Sequence, residues 1–150
     1  MLPADIEVST DRARLDVSLI EQFLGTSYWA AGRPRDVIER SIANSVCFGV
    51  YTAGRQIGFG RVITDCAVFG YLSDVFVLPE FRGRGVGKYL VKAMLEHPDV
   101  RGLKLILLRT RDAHGLYAQF GFTPPYKPEE LMARWSDATQ ENSSSAGGIT

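Results

Sequence analysis

Cysteine is scarce in this 150-residue chain, net charge is absent, and no long apolar run occurs; each lack excludes something. The two cysteines, Cys47 and Cys66, stand isolated without paired spacing. No disulfide framework or thiolate metal site is therefore expected, and both read as small hydrophobes of a reducing cytoplasm. Lys plus Arg equals Asp plus Glu at 17 each, so the chain lacks the positive excess of a nucleic-acid or membrane-surface binder. No stretch reaches the ~18 apolar residues of a membrane span. The opening MLPADIEVSTD is acidic and has no apolar core, unlike a signal peptide. A cytoplasmic location is the expectation. The length suits one domain, able to bury roughly 70% of its unfolded surface without a metal or disulfide.

What is present is concentrated in YLSDVFVLPEFRGRGVGK, residues 71–88. An apolar strand pattern through Val75, Phe76, Val77 and Leu78 is stopped by Pro79. Gly83, Gly85 and Gly87 then alternate with Arg84 and Val86, flanked by Arg82 and Lys88, and an amphipathic helix pattern follows. Glycines let backbone N–H groups converge on an anion, the first helical turn adds unsatisfied N–H groups, and the basic residues add full charges. The segment reads as a phosphate cradle. It is not a nucleotide-triphosphate loop, because Tyr89 follows Gly87-Lys88 and Arg82 stands where the first glycine belongs. It is not the dinucleotide fingerprint either, since the third glycine is missing.

Arg82-x-x-Gly85-x-Gly87 after a strand resembles the acetyl-CoA signature of the GNAT superfamily of N-acetyltransferases. A second segment, TRDAHGLYAQFGF at 110–122, is similar to that family's Asn-x-x-Ala-x-x-Leu-Tyr-x-x-x-Gly-Phe. Ala113, Leu116, Tyr117, Gly121 and Phe122 fall in place, while Thr110 takes the Asn position. The resemblance spans about residues 71–122.

Periodicity predicts a short strand at 6–9 and helices at 15–24 and 34–43, the second with Val37, Ile38 and Ile42 on one face. Strands are expected at 46–52, 56–65 and 67–78, with turns at Ala53-Gly54 and Asp65 to Ala67. A main helix at 86–96, a buried strand at 103–108 and a short helix at 113–120 follow. The segment 123–135 is expected to give a final strand or two, and 137–150 a disordered polar tail, leaving one domain over 1–136. This order makes an α/β fold of mixed (α+β) type, with helices on both faces of the sheet. The resemblance implies a mostly antiparallel sheet in which a central parallel pair, the strands at 71–78 and 103–108, splays apart to admit pantetheine.

The resemblance then implies roles. Backbone groups of Val75, Phe76 and Val77 would pair with pantetheine amides. The segment Arg82, Gly83, Arg84, Gly85, Val86, Gly87 and Lys88 would hold the pyrophosphate, and Thr110 would make one further bond. Acetyl transfer needs a neutral amine, and deprotonating a lysine-like amine of pKa about 10.4 at pH 7 costs about 4.6 kcal/mol unaided. It also needs a proton for the departing thiolate, for which Tyr117 is the candidate acid. The family's usual acidic pair reads Ser73-Asp74 here. Asp74 is either the base or amine-binding carboxylate, or a buried carboxylate satisfied by backbone or arginine; strand alternation would send it to the face opposite Ser73. Asp65 and waters ordered by Ser73 are the other choices for a base. Asp112 reads as an N-cap for the short helix and His114 as a surface residue of its first turn.

The loop 25–35 is expected to roof the acceptor pocket. Tyr28 and Trp29 would form an aromatic wall with Ser73 near the substrate, and Arg33 or Arg35 would clamp a substrate carboxylate; the alternative is core aromatics and solvated arginines. The function implied is transfer of an acetyl group from acetyl-CoA to a primary amine of a small molecule, by direct attack in a ternary complex. A peptide or protein amine is the alternative acceptor, and an acetyl-CoA-binding sensor or interaction subunit the alternative class. A homodimer is compatible with the resemblance.

Overall fold

Two tight turns build the central meander. Ala53 and Gly54 both have positive φ, 48° and 74°, the twist that lets a two-residue loop join antiparallel strands. They connect β2 (Val46–Thr52) to β3 (Arg55–Thr64). The next turn is held by the Asp65 carboxylate, which accepts from the amides of Ala67, Val68 and Phe69 and leads into β4 (Phe69–Val77). A short β1 (Glu7–Ser9) pairs antiparallel with β2. β5 (Leu105–Leu107) pairs parallel with β4, giving a five-stranded sheet in chain order. The computed structural model describes residues 1–136, so the expected tail at 137–150 lies outside the described residues.

Alternation along the strands supplies two cores. On one face Phe48, Val50, Val62 and Leu72 meet Leu90, Val91 and Met94 of α3 (Val86–Glu96) and Tyr117 of α4 (His114–Ala118). On the other, Cys47, Phe59 and Phe76 meet Ile20 and Leu24 of α1 (Val17–Thr26) and Ile38 and Ile42 of α2 (Arg35–Ala43). The fold is thus a mixed α/β sheet, mostly antiparallel, with helices on both faces. Asp16 caps α1 by accepting from the Leu19 amide at 3.0 Å. Just past the end of α2, Arg12 donates to the carbonyls of Ile42 and Ser45, adding to the bond that Ile42 O accepts from the Ser45 amide.

Three expectations are corrected. Val37 is solvent-facing, so only Ile38 and Ile42 form the buried stripe of α2. Residues 123–135 carry no strand: Pro124, Pro125 and Pro128 remove ladder donors, and the only regular element is a 3-10 turn at Pro128–Glu130. Consequently β5 is the sheet's edge among the described residues, and the parallel pair lies at one side of the sheet instead of its centre. No helix among the described residues is long and apolar enough to cross a membrane.

Candidate active site

A bulge in β4 organises the site. Phe59 pairs with Phe76 and Arg61 with Ser73, so two steps along β3 are matched by three along β4. The irregularity includes Asp74, whose φ of 56° is left-handed. Simple alternation therefore fails here. Ser73 lies opposite Arg61 and shares its face, and the Asp74 carboxylate reaches that same face to bond Arg61. Asp74 Oδ2 accepts from Arg61 Nε at 2.8 Å and Arg33 Nη1 at 2.7 Å, and Oδ1 accepts from Trp29 Nε1 at 3.1 Å. Arg61 also donates to Ser45 Oγ at 2.9 Å. Burial pushes the Asp74 carboxyl up, but the Arg61 and Arg33 guanidiniums outweigh it and hold the pKa below its ordinary value. Such a carboxylate is an anchor and a poor proton acceptor.

Beyond the bulge the parallel strands part, since β4 pairs with β5 only from Phe69 to Tyr71. Leu78 donates its N–H to Ile57 O, and Phe76 pairs with Phe59 two residues earlier, so both amide groups of Phe76 point toward β3. Only Val75 and Val77 turn theirs into the gap. The Phe76 ring instead stacks on Phe23 at 4.0 Å and 8°. The Val77 carbonyl accepts from Arg82 Nε at 3.1 Å.

The glycine loop follows. Gly83 and Gly85 have φ of 72° and 82°, and Gly85 occupies the N-cap of α3 without a side-chain cap. Backbone amides of residues 83–88 have no protein acceptor among the described residues. Arg82, Arg84 and Lys88 are exposed beside them, while Val86 is buried and fixes the helix start in the core. Open amides at a helix N-terminus flanked by cations fit a pyrophosphate.

A cleft of about 700 Å³ joins these parts. Val75, Val77, Gly87 and Tyr117 line it together with Phe23, Tyr28, Trp29 and Arg111. Tyr117 is 3% exposed and meets Phe122 edge-on at 5.8 Å. Burial, with smaller contributions from Tyr28 and Asp112, raises its phenol far above the ordinary value, so the group stays protonated. Thr110 Oγ1 accepts from the Ala113 amide at 2.9 Å. It thereby takes the helix-entry role expected of Asp112, which is exposed and caps nothing. His114 is exposed at the start of α4.

Of the expected acceptor residues, Tyr28 and Trp29 line the cleft, while Arg33 and Ser73 do not. Ser73 is 1% exposed. Arg35 is engaged with Glu21 and Glu39 on the surface. Asp65 serves its turn and lies away from the cleft lining. The sequence reading missed Arg111, whose guanidinium carbon lies 3.7 Å from the Tyr28 ring centroid. Its signal was the second arginine of RTRD, residues 109–112, in the segment between β5 and α4.

Comparison with known proteins agrees with this geometry. A family model described as an acetyltransferase (GNAT) domain matches residues 43–124. A Gibberella zeae protein assigned as an acetyltransferase is 32% identical over 138 residues, which cover 77% of this chain and 77% of the relative. The crystal structure of a GNAT-family protein from Xanthomonas campestris pv. campestris is similar at 50% identity and TM-score 0.87, covering 91% of this chain and 96% of that one. Rv2747 of Mycobacterium tuberculosis, solved with CoA and NLQ, shares the fold at 18% identity and TM-score 0.68, covering 91% of this chain and 80% of that one. With a family model matched over residues 43–124 and a relative 32% identical over 138 residues, the chain belongs to the GNAT acetyltransferases.

Proposed function

We propose that the protein transfers the acetyl group of acetyl-CoA to a primary amine of a small molecule, by direct attack in a ternary complex. The observation that carries this reading is the single cleft bordered by the β4 gap, Gly87, the protonated Tyr117 phenol and the Tyr28–Trp29 wall. Acetyl-CoA supplies a thioester whose sulfur departs as the amide forms. The amides of residues 83–88, with Arg82 and Lys88, would hold its pyrophosphate. The Val75 carbonyl and the Val77 N–H would pair with its pantetheine amides. The Val77 carbonyl would do so only by exchanging its bond with Arg82.

Tyr117 donates its proton toward the departing sulfur and regains one from solvent. The attacking amine gives up its proton to water, because Asp74 is held by two guanidiniums and an indole. Asp74 instead positions: through Trp29 and Arg33 it fixes the roof loop over the reacting centre. A small acceptor is favoured over a protein amine by the Tyr28–Arg111 contact, which ties the roof to the loop before α4.

The test is thiol release from acetyl-CoA across amino acids, polyamines, aromatic amines and short peptides, run beside Tyr117→Phe. Amine-dependent release that drops in the variant supports the reading. Tight acetyl-CoA binding without any amine-dependent release would overturn it.

A further inference from the structure

The arginines expected to clamp an acidic substrate group are spent elsewhere. Arg33 Nη1 is 2.7 Å from Asp74 Oδ2, and Arg35 bonds Glu21 and Glu39, both at 2.8 Å. Arg61 is buried against Asp74 and Ser45. Arg82 belongs to the glycine loop and donates to Val77 O. That leaves Arg111 on the cleft wall, which has no ion-pair partner among the described residues; even its neighbour Asp112 forms no salt bridge with it.

Arg111 is nonetheless not loose. Its guanidinium lies on the face of Tyr28 at 3.7 Å, and its backbone N–H donates to Tyr28 Oη at 3.3 Å. A ring stacked on a guanidinium covers one face and leaves the in-plane N–H donors open, the edge that matches a carboxylate or phosphate. Stacking also restricts the side chain before any ligand arrives, which lowers the ordering cost of binding. Tyr28 touches Trp29 edge-on at 5.1 Å, and Trp29 is fixed by Asp74, so the cation stands on an anchored wall. That wall faces the same cleft as Tyr117, where the amine must react.

Resting on the transferase reading above, we propose that Arg111 binds an anionic group of the acceptor, a carboxylate or phosphate, making the substrates small amines that carry such a group. The chain thus selects its acceptor with the arginine after the β5 strand, in place of Arg33 or Arg35.

The experiment compares matched acceptors: β-alanine with β-alaninamide, and O-phosphoethanolamine with ethanolamine. With the native protein, kcat/KM is expected to favour the anionic member of at least one pair, and the pair that discriminates tells carboxylate from phosphate. Arg111→Gln should lower that member's kcat/KM by about 10- to 100-fold, the loss of a charge-assisted bond. Its neutral partner should lose less, only what the lost Tyr28 contact costs, so that the anionic-to-neutral ratio of kcat/KM falls. Acetyl-CoA affinity, measured by calorimetric titration, should change less than that ratio. Arg111→Lys should recover part of the loss. Weakened acetyl-CoA binding with acceptor preference intact would assign Arg111 to the donor and overturn the proposal, as would equal rates for both members of each pair. If no amine turned over at all, the transferase reading itself would fail. Binding of the same pairs to CoA-loaded protein, followed by tryptophan fluorescence, would then decide the clamp, equal affinities refuting it.

Discussion

Arg33 Nη1 and Asp74 Oδ2 lie 2.7 Å apart, joining the loop before α2 to the bulge of β4 across 41 residues of sequence. The carboxylate is 1% exposed and the arginine side chain 19%, so solvent screens this pair little. Arg61 and Trp29 complete the set, leaving both oxygens occupied. A residue in the left-handed region costs backbone energy of order 1–3 kcal/mol, and it persists here because three side chains hold it. The bulge, the roof and the gap in the sheet are one mechanical unit.

Asp74→Asn is expected to destabilise the protein by about 3 kcal/mol, because two guanidiniums would be left without a counter-charge. In the enzyme, KM for the amine should rise more than KM for acetyl-CoA, since Trp29 and Arg33 belong to the roof. The shape of the kcat/KM pH profile should not change; loss of an inflection in the variant would make Asp74 the base. The folded carboxyl lies below its ordinary 3.8, so its stabilisation is complete above that pH and is lost as pH falls through the depressed value. Acid unfolding below pH 3.8 should accordingly be shallower in the variant.

Tyr117→Phe keeps the ring that packs on Phe122 and removes only the hydroxyl. A fall in kcat of about 100-fold with little change in melting temperature is expected for loss of a general acid. The raised phenol pKa carries a second consequence. Its contribution to stability is present below the ordinary value of 10 and is lost as pH rises toward the folded one. Native protein should weaken above pH 10 more steeply than the Phe variant, measured by urea midpoints. A variant with unaltered kcat would remove Tyr117 from the chemistry.

Local chemistry was legible where it is short-ranged. The Ala53-Gly54 turn, the α3 stripe of Val86, Leu90, Val91 and Met94, and the glycine loop all express periods or φ preferences that neighbours in sequence dictate. The bulge was not, because nothing in Ser73-Asp74 announces a left-handed aspartate; three partners distant in sequence decide it. For the same reason Arg33 looked available as a clamp. Thr110, instead of Asp112, accepts at the entry to α4, since a short side-chain oxygen at either position could reach the amides there and only the loop's path selects one. The absence of a strand at 123–135 is readable in Pro124, Pro125 and Pro128, which have no N–H to give to a ladder.

The two thiols should differ in reactivity. Cys66 is exposed, whereas Cys47 is buried and its pKa is pushed up to about 11 by desolvation, against weaker opposing effects of Arg12 and Arg61. Native protein should react with one equivalent of a thiol reagent near pH 8, and unfolded protein with two. Rapid labelling of both in the native state would mean that the α2–β2 junction opens readily.

Gly83 offers a test of the phosphate cradle that separates folding from binding. Its φ is 72°, and a Cβ there would meet no heavy atom within 4 Å. Gly83→Ala therefore costs the protein only backbone strain, about 1–2 kcal/mol. The open space beside it is also where a pyrophosphate would approach the amides of residues 83–88, so the added methyl should weaken acetyl-CoA binding by tenfold or more, about 1.4 kcal/mol. Lys88→Ala, which leaves the backbone alone, should weaken binding in a manner that fades as salt is raised. Titration calorimetry with acetyl-CoA and with dephospho-CoA measures both effects. A Gly83→Ala protein that lost only the stability due to strain, with acetyl-CoA affinity intact, would place the pyrophosphate elsewhere.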